Sequence, residues 1–467
     1  MARLRLPAAA CALLACTVAM TGCGAATSTP PASGRSLQPV VQFPELGFAV
    51  DEGRLGEHLE ALMAVAEAND GVRTVGTPGY EASVDYVAGA LSELGWRVQT
   101  PTVPITTFRE TAPARLEVDD ATFEGPDEIH ALIYSASGDV SGPIEMMSAS
   151  GCERADFDGF PDGAIAVTSV GGCLRRTQVM NADAAGAVAI LMVYPDRGPG
   201  EILRPTLISP DGIDIPAAAV TGEAGEALRA ADGEEAHLSI STAREPGSLR
   251  NVVAELGDGE RVVMLGAHLD SVIDGPGIND NGSGVAALLE IARGAAQLGL
   301  PDGSTLRLGF WGGEEFGLLG SSAYVDGLTD AQRTAMAAYI NLDMVASPNG
   351  TTLIYDDHGA PRGSGTITID YEVWFESRDL PAEREDLGGA SDHHWFEQVG
   401  IPTGGLFAGA NETVTAEQGE RFGATRNEPM DACYHLPCDD AANVDLARAA
   451  TFADATLAVA LRLLEAD

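Results

Sequence analysis

From Asn251 onward the chain alternates short apolar runs with helical ones, and this rhythm constrains the fold more than any other feature. Val252 to Leu256, Val262 to Ala267, Leu306 to Gly312 and Ala338 to Met344 are strand-like, while Gly284 to Leu298 and Ser321 to Ala337 carry helical spacing. Strands alternating with helices predict an α/β fold with a mostly parallel central sheet covered on both faces. Ligands of such sheets gather outside the carboxyl ends of the strands.

The 467 residues exceed one ordinary domain. Residues Gly53 to Gly95 read as helix, loop and helix, broken at Gly76-Thr77-Pro78-Gly79. Strand-like runs follow at Val103 to Thr107, Arg115 to Val118, Ile129 to Tyr134 and Ala164 to Val170. A small-residue helix, Thr177 to Gly186, then leads into Ala187 to Tyr194. The expected division is a β-rich insert over 104–246 within a catalytic domain made of 45–103 and 247–467.

The first residues differ from all others. Arg3 and Arg5 precede an apolar run from Ala8 to Met20, closed by Thr21-Gly22-Cys23. Residues 1–22 therefore read as an export signal, too short to span a membrane as a stable helix. Small residues directly before Cys23 resemble a lipobox, so Cys23 is the expected lipidation site, with 23–44 as a flexible tether. Plain secretion is the alternative. Four cysteines remain beyond Cys11, Cys16 and Cys23, and an oxidising compartment favours the local pairs Cys152 with Cys173 and Cys433 with Cys438. Neither pair has the Cys-x-x-Cys spacing of a zinc site. A net charge of −42, with arginine as the sole basic residue type, excludes nucleic acid as a partner and describes a solvated acidic surface.

Candidate chemistry falls near strand ends. Gly266-Ala267-His268-Leu269-Asp270-Ser271 offers an imidazole for a metal and a carboxylate, Asp270, to orient it. Alone, a structural histidine accounts for His268 as well. Gly277-Ile278-Asn279-Asp280-Asn281-Gly282-Ser283-Gly284 holds Asp280 on a tight turn, either as a helix cap or as a carboxylate with one oxygen for each of two ions. Trp311-Gly312-Gly313-Glu314-Glu315-Phe316-Gly317 places adjacent carboxylates after an apolar strand, where one can bind metal while the other addresses water. Asn341-Leu342-Asp343-Met344 and Cys433-Tyr434-His435-Leu436-Pro437-Cys438 complete a set of two histidines and four acids, matching the ligand demand of a two-zinc hydrolytic site.

The ordered motifs GAHLDS, GINDNGSG, WGGEEFGLLGS, NLDM, SDHHWF and CYHLPCD, running from Asn251 to about Asp440, resemble the co-catalytic zinc aminopeptidases. The likeness is greatest to exported bacterial leucine aminopeptidases; wider relatives include glutamate carboxypeptidase II and the transferrin receptor. NDGVRTVGTPGYEASVDY, Asn69 to Tyr86, resembles the leader of members with an inserted protease-associated domain. Gly151 to Tyr194 looks like that insert. The resemblance implies a zinc-peptidase, phosphorylase/hydrolase-like core and two zinc ions per chain. His268 and Asp343 would hold one, Glu315 and His435 the other, and Asp280 would bridge them. Glu314 is then the general base, Tyr434 the oxyanion donor and Asp270 the orienter of His268, and the Asp280-Asn281 peptide is expected to be cis. Met344 and Phe407 match positions lining an apolar pocket for the first side chain, which implies Leu, Met or Phe at the substrate N-terminus.

One departure stands in Gly388-Gly389-Ala390-Ser391-Asp392-His393, where Gly389 is a further candidate substrate contact. Close relatives carry an arginine at the position of Ala390 that meets a substrate or product carboxylate. Its loss favours longer or carboxyl-blocked peptides and argues against the alternative reading as a carboxypeptidase or dipeptidase. A metal-free, receptor-like binding protein is disfavoured by the complete ligand set. The expected partners are peptide substrates, with membrane contact only through Cys23 and a monomeric state.

Overall fold

A computed structural model describes residues 43, 45–194 and 203–465, which fall in one compact unit. The expected signal at 1–22, the lipidation site Cys23 and all of the tether except Phe43 lie outside the described residues.

In chain order the strands are β1 (Arg97–Gln99), β2 (Thr102–Val118), β3 (Ala121–Glu124), β4 (Ile129–Ala131), β5 (Gly138–Met146), β6 (Ile165–Ser169), β7 (Ala189–Val193) and β8 (Ala217–Val220). They continue with β9 (Glu235–Arg250), β10 (Val252–Gly257), β11 (Arg261–His268), β12 (Ser304–Trp311), β13 (Met336–Leu342), β14 (Leu353–Tyr355), β15 (Glu383–Glu385) and β16 (Thr403–Phe407). One sheet runs β1-β10-β12-β11-β13-β16-β14-β15. Its centre, β12-β11-β13-β16, is parallel, as the alternating sequence predicts, whereas β1, β10 and β14 pair antiparallel toward the edges.

Both faces of this sheet are covered. Along β11, Val263, Leu265 and Ala267 join the main core, while Met264 joins a separate cluster with Trp311, Tyr339 and Phe396. This is the period-two alternation of a doubly covered strand. Helices Gly284–Leu298 and Leu446–Glu465 pack on the first face, and Leu319–Asp326 and His393–Gln398 on the second. The second face needs Gly266, since a Cβ there would lie 2.0 Å from the Tyr339 hydroxyl, which accepts from Trp311 Nε1 at 2.9 Å.

Two elements differ from expectation. The helix predicted over Ser321 to Ala337 divides into Leu319–Asp326 and Asp330–Ala335, because Gly327 ends the first and Thr329 with Gln332 forms a capping box for the second. Met336 then pairs with Val262 and enters the sheet. The runs at Val103 and Arg115 are one strand, β2, because β9 pairs along its whole length from Thr102↔Arg250 to Val118↔Ala236, with register shifts near Ala112. That ribbon belongs to a second sheet, β3-β2-β9-β5-β6-β7-β8-β4, whose β5-β6-β7-β8 stretch is parallel.

Candidate metal centre

Three neighbouring parallel strands deliver the acidic and imidazole groups at their carboxyl ends. His268 is the last residue of β11, Glu314 and Glu315 lie in the turn after β12, and Asp343 directly follows β13. Asp280 sits in the turn Ile278–Ser283 that opens helix Gly284–Leu298, and the Asp280-Asn281 peptide is cis. His435 lies at φ 60° inside the loop closed by the Cys433–Cys438 disulfide. The other cysteine pair, Cys152–Cys173, is also bonded.

Asp280 organises the cluster. Its Oδ1 is 3.1 Å from His268 Nε2 and its Oδ2 3.1 Å from His435 Nε2. Asp343 Oδ1 lies 3.3 Å from His268 Nε2, and Glu315 Oε2 lies 3.3 Å from His435 Nε2. Two ligands at roughly 2.0–2.1 Å from one tetrahedral ion stand about 3.3 Å apart, so each triad is spaced as a half-site. Glu315 Oε1 and Asp343 Oδ1 are buried without hydrogen-bond partners, an expensive state for carboxylates that a cation would relieve. The chemistry of the donors, two imidazoles and three carboxylates, fits zinc. A third grouping, His268 with Glu314 and Glu315, also has ligand atoms within 4.8 Å of one another.

The electrostatics agree with a site built for positive charge. Burial pushes the Glu314 carboxyl well above its usual range, with His268 opposing and Glu315 and Asp343 adding to the rise. Burial likewise raises Glu315. The Tyr434 phenol is raised by burial and then by Asp280, Glu315 and Glu314, so it stays protonated and able to donate; its ring stacks on His435 at 3.8 Å. Asp270 differs from the sequence expectation in detail. His268 Nδ1 is 3.1 Å from the Asp270 carbonyl and 3.8 Å from its carboxylate, so the backbone oxygen is the nearer partner of the imidazole. The carboxylate accepts the Glu314 N–H instead.

Several further residues hold the candidate ligands in place. Arg73, wholly buried, donates to the carbonyls of Leu269, Pro276 and Gly277 and fastens the loop between His268 and Asp280. Asp439 accepts the N–H groups of Asn279 and Asp280 at 2.8 and 3.0 Å. Ser391 donates to Asp343 Oδ2 at 2.6 Å and receives Asn341 Nδ2 at 2.9 Å. Arg73, Asp439 and Ser391 all fall within the motifs quoted above, but their partners are set by the fold.

Met344 follows Asp343 with φ 48°, and its carbonyl accepts the N–H of Ala408, which brings Phe407 beside it on the neighbouring strand. Gly389, at φ 76°, lines a cavity of about 160 Å³ with Tyr355, Glu385 and His393.

Comparison with known proteins supports the same reading. Peptidase family M28 matches residues 251–460, and a PA domain matches 140–228. An aminopeptidase of Pseudomonas aeruginosa is 36% identical over 411 residues, covering 83% of this chain and 76% of that protein. The probable lipoprotein aminopeptidase LpqL of Mycobacterium tuberculosis is 38% identical over 411 residues, covering 83% and 80%. Among solved structures, an aminopeptidase from Aneurinibacillus sp. strain AM-1 superposes with a TM-score of 0.69 at 25% identity, covering 88% of this chain and 93% of that one. With relatives of this identity and extent, and with the centre described above, the chain belongs to peptidase family M28 as an aminopeptidase carrying a PA domain.

Proposed function

We propose that the protein is an exported aminopeptidase that binds two zinc ions, one held by His268 and Asp343, the other by Glu315 and His435, with Asp280 shared between them. The observation that carries this reading is Asp280, whose two oxygens each face a different imidazole at 3.1 Å. Bound zinc supplies Lewis-acid polarisation of the scissile carbonyl and lowers the pKa of water. Glu314 accepts the proton of the attacking water and returns it to the leaving amine. Tyr434 donates its O–H to the oxyanion. Asp270 holds the Glu314 backbone and, through its carbonyl, the His268 ring.

Met344 and Phe407 form the apolar contacts for the first side chain, so Leu, Met and Phe are the preferred N-terminal residues. Gly389 is a further candidate substrate contact, on a cavity that neither Met344 nor Phe407 lines. Ala390 offers no charge to a free carboxylate, so peptides longer than dipeptides are accepted well. Export is supported by two disulfides and by a lipoprotein among the relatives. No helix of the described residues is long and apolar enough to cross a membrane. The small residues before Cys23 and the lipoprotein relative support Cys23 as the anchor, with plain secretion as the alternative.

Elemental analysis and a panel of aminoacyl-nitroanilides test the core of this reading. About two zinc ions per chain and fastest turnover of Leu, Met and Phe substrates are expected; fewer than one ion after zinc reconstitution would overturn it. Mass spectrometry of cell-associated protein should find a lipid on Cys23, and an unmodified N-terminus beyond residue 23 would refute the anchor.

A further inference from the structure

The PA domain contains none of the proposed ligands, which by itself predicts a role in substrate entry alone. The contacts of one short segment, Arg204 to Ile208, point elsewhere. Glu314 and Glu315 lie in a turn flanked by Gly313 at φ 71° and Gly317 at φ 116° and closed by its own backbone bonds, Gly317 and Leu318 N–H to the Glu314 carbonyl and Leu319 N–H to that of Gly313, so what presses on this turn from outside sets where it sits as a unit. Thr206 donates its hydroxyl to the Phe316 carbonyl at 3.3 Å. Ile208, itself at φ 70°, lies so close to Gly317 that a Cβ added there would be 2.9 Å from the Ile208 Cα and carbonyl oxygen. The Phe316 ring stands edge-on to Tyr134 of the same second-sheet region, with centroids 6.1 Å apart.

Two residues before Thr206, Arg204 reaches the other metal loop. Its guanidinium is 7% exposed and meets Asp274 with Nε at 2.9 Å and Nη2 at 3.2 Å, in the loop joining His268 to Asp280. From its own side of the molecule it is held by Glu110 at 2.8 Å and by His130 Nδ1 at 2.7 Å. Burial, and next the Arg204 charge, lower His130 to about 4, so the ring is neutral; a guanidinium can only donate, so Nδ1 is the acceptor of this bond. A two-pronged guanidinium between carboxylates fixes distance and angle together.

We infer that the segment Arg204 to Ile208 is a positioning element for Glu314. Arg204 fastens it to the loop of His268 and Asp280, while Thr206 and Ile208 press the turn carrying Glu314 and Glu315 into place. This rests on the assignment of Glu314 as general base. Small displacement of a positioned group costs up to about 10²-fold in rate, so the segment acts on kcat without touching substrate.

The test uses the full chain with Thr206→Val, Arg204→Gln, Arg204→Lys and Glu314→Gln, each measured for zinc content, thermal midpoint, kcat and KM separately, and amide exchange at Gly317 and Leu318. Thr206→Val and Arg204→Gln should lower kcat on the order of 10- to 10²-fold. KM should change less than about twofold, zinc should be retained, and exchange at Gly317 and Leu318 should quicken. Arg204→Lys, which keeps the charge, should recover part of the loss. A purely structural role would lower the thermal midpoint and leave kcat of the folded, zinc-loaded enzyme unchanged, and that result overturns the inference. Thr206→Val keeps the side-chain volume, so it decides the matter even if Arg204→Gln does not fold. If Glu314→Gln itself keeps full turnover, the general-base assignment fails, and with it the reason for this one; if only Glu314→Gln loses turnover, the assignment stands and the positioning role falls.

Discussion

The backbone N–H of Glu314 donates to Oδ1 of Asp270 at 3.2 Å, so the loop after β11 holds the turn after β12. Asp270 therefore touches both halves of the proposed chemistry, the proposed base Glu314 through this bond and His268 through its carbonyl. Replacing it by alanine keeps the carbonyl but frees the turn. Asp270→Ala should lower kcat about 10- to 100-fold, the usual loss for an orienting partner, with a smaller effect on zinc content. Parallel kinetics and elemental analysis check this; a greater fall in zinc than in kcat would assign Asp270 to the metal instead.

Glu314 and Glu315 are neighbours with separate proposed roles. Glu314→Gln removes basicity while keeping size, so turnover should drop on the order of 10²–10⁴-fold with zinc retained. Glu315→Ala should lose zinc and recover partly when zinc is added in excess. Turnover of Glu314→Gln close to that of the parent enzyme would remove the proposed base.

His435 is held in a left-handed conformation inside the five-residue span of the Cys433–Cys438 bond. Closing that loop restricts where the imidazole can sit before metal arrives. The double variant Cys433→Ser, Cys438→Ser should fold, since the other disulfide and the core are untouched, and should bind zinc about 10-fold more weakly. Competition with a chelator measures the change, and equal affinity in both forms would show that the bond serves stability alone.

Glu290, on helix Gly284–Leu298 beneath the metal turn, is a case where acid matters to stability. Its carboxylate is buried, accepts from Arg54 at 3.2 Å and from Arg293 at 2.5 Å, and lies 3.8 Å from His58. Burial would raise it, but His58, Arg293 and Arg54 together lower it from 4.5 to about 2. A folded-state pKa below the unfolded value contributes stability above about pH 4.5 that disappears as pH falls toward 2. Glu290→Gln should thus destabilise the protein near neutrality by at most about 3 kcal/mol, an upper bound because Arg54 is half exposed. Urea unfolding from pH 7 to pH 3 should show the gap narrowing below pH 4.5, and a gap constant with pH would refute the charge-based account.

The sequence by itself determined the α/β class and the two cysteine pairs, and its ordered motifs, through their resemblance to a family, singled out five metal-ligand candidates. Strand pairing and helix packing recur every few residues, and each candidate ligand stands in a motif at a strand end or in a constrained loop, so short-range pattern carries that information. Local pattern also shows its limits: Val103 and Arg115 looked like two strands, and only the long partner β9 makes them one. Nothing near Arg73 reveals that its guanidinium joins three carbonyls some two hundred residues away, and nothing near Thr206 or Arg204 reveals that they meet Phe316 and Asp274. Those contacts depend on how distant loops and, for Thr206 and Arg204, the two sheets pack, a sum of many weak surface complementarities with no periodicity along the chain. The residues proposed to do chemistry were therefore legible as an ordered set, each ambiguous alone, whereas the residues that hold them still were decided by the tertiary structure.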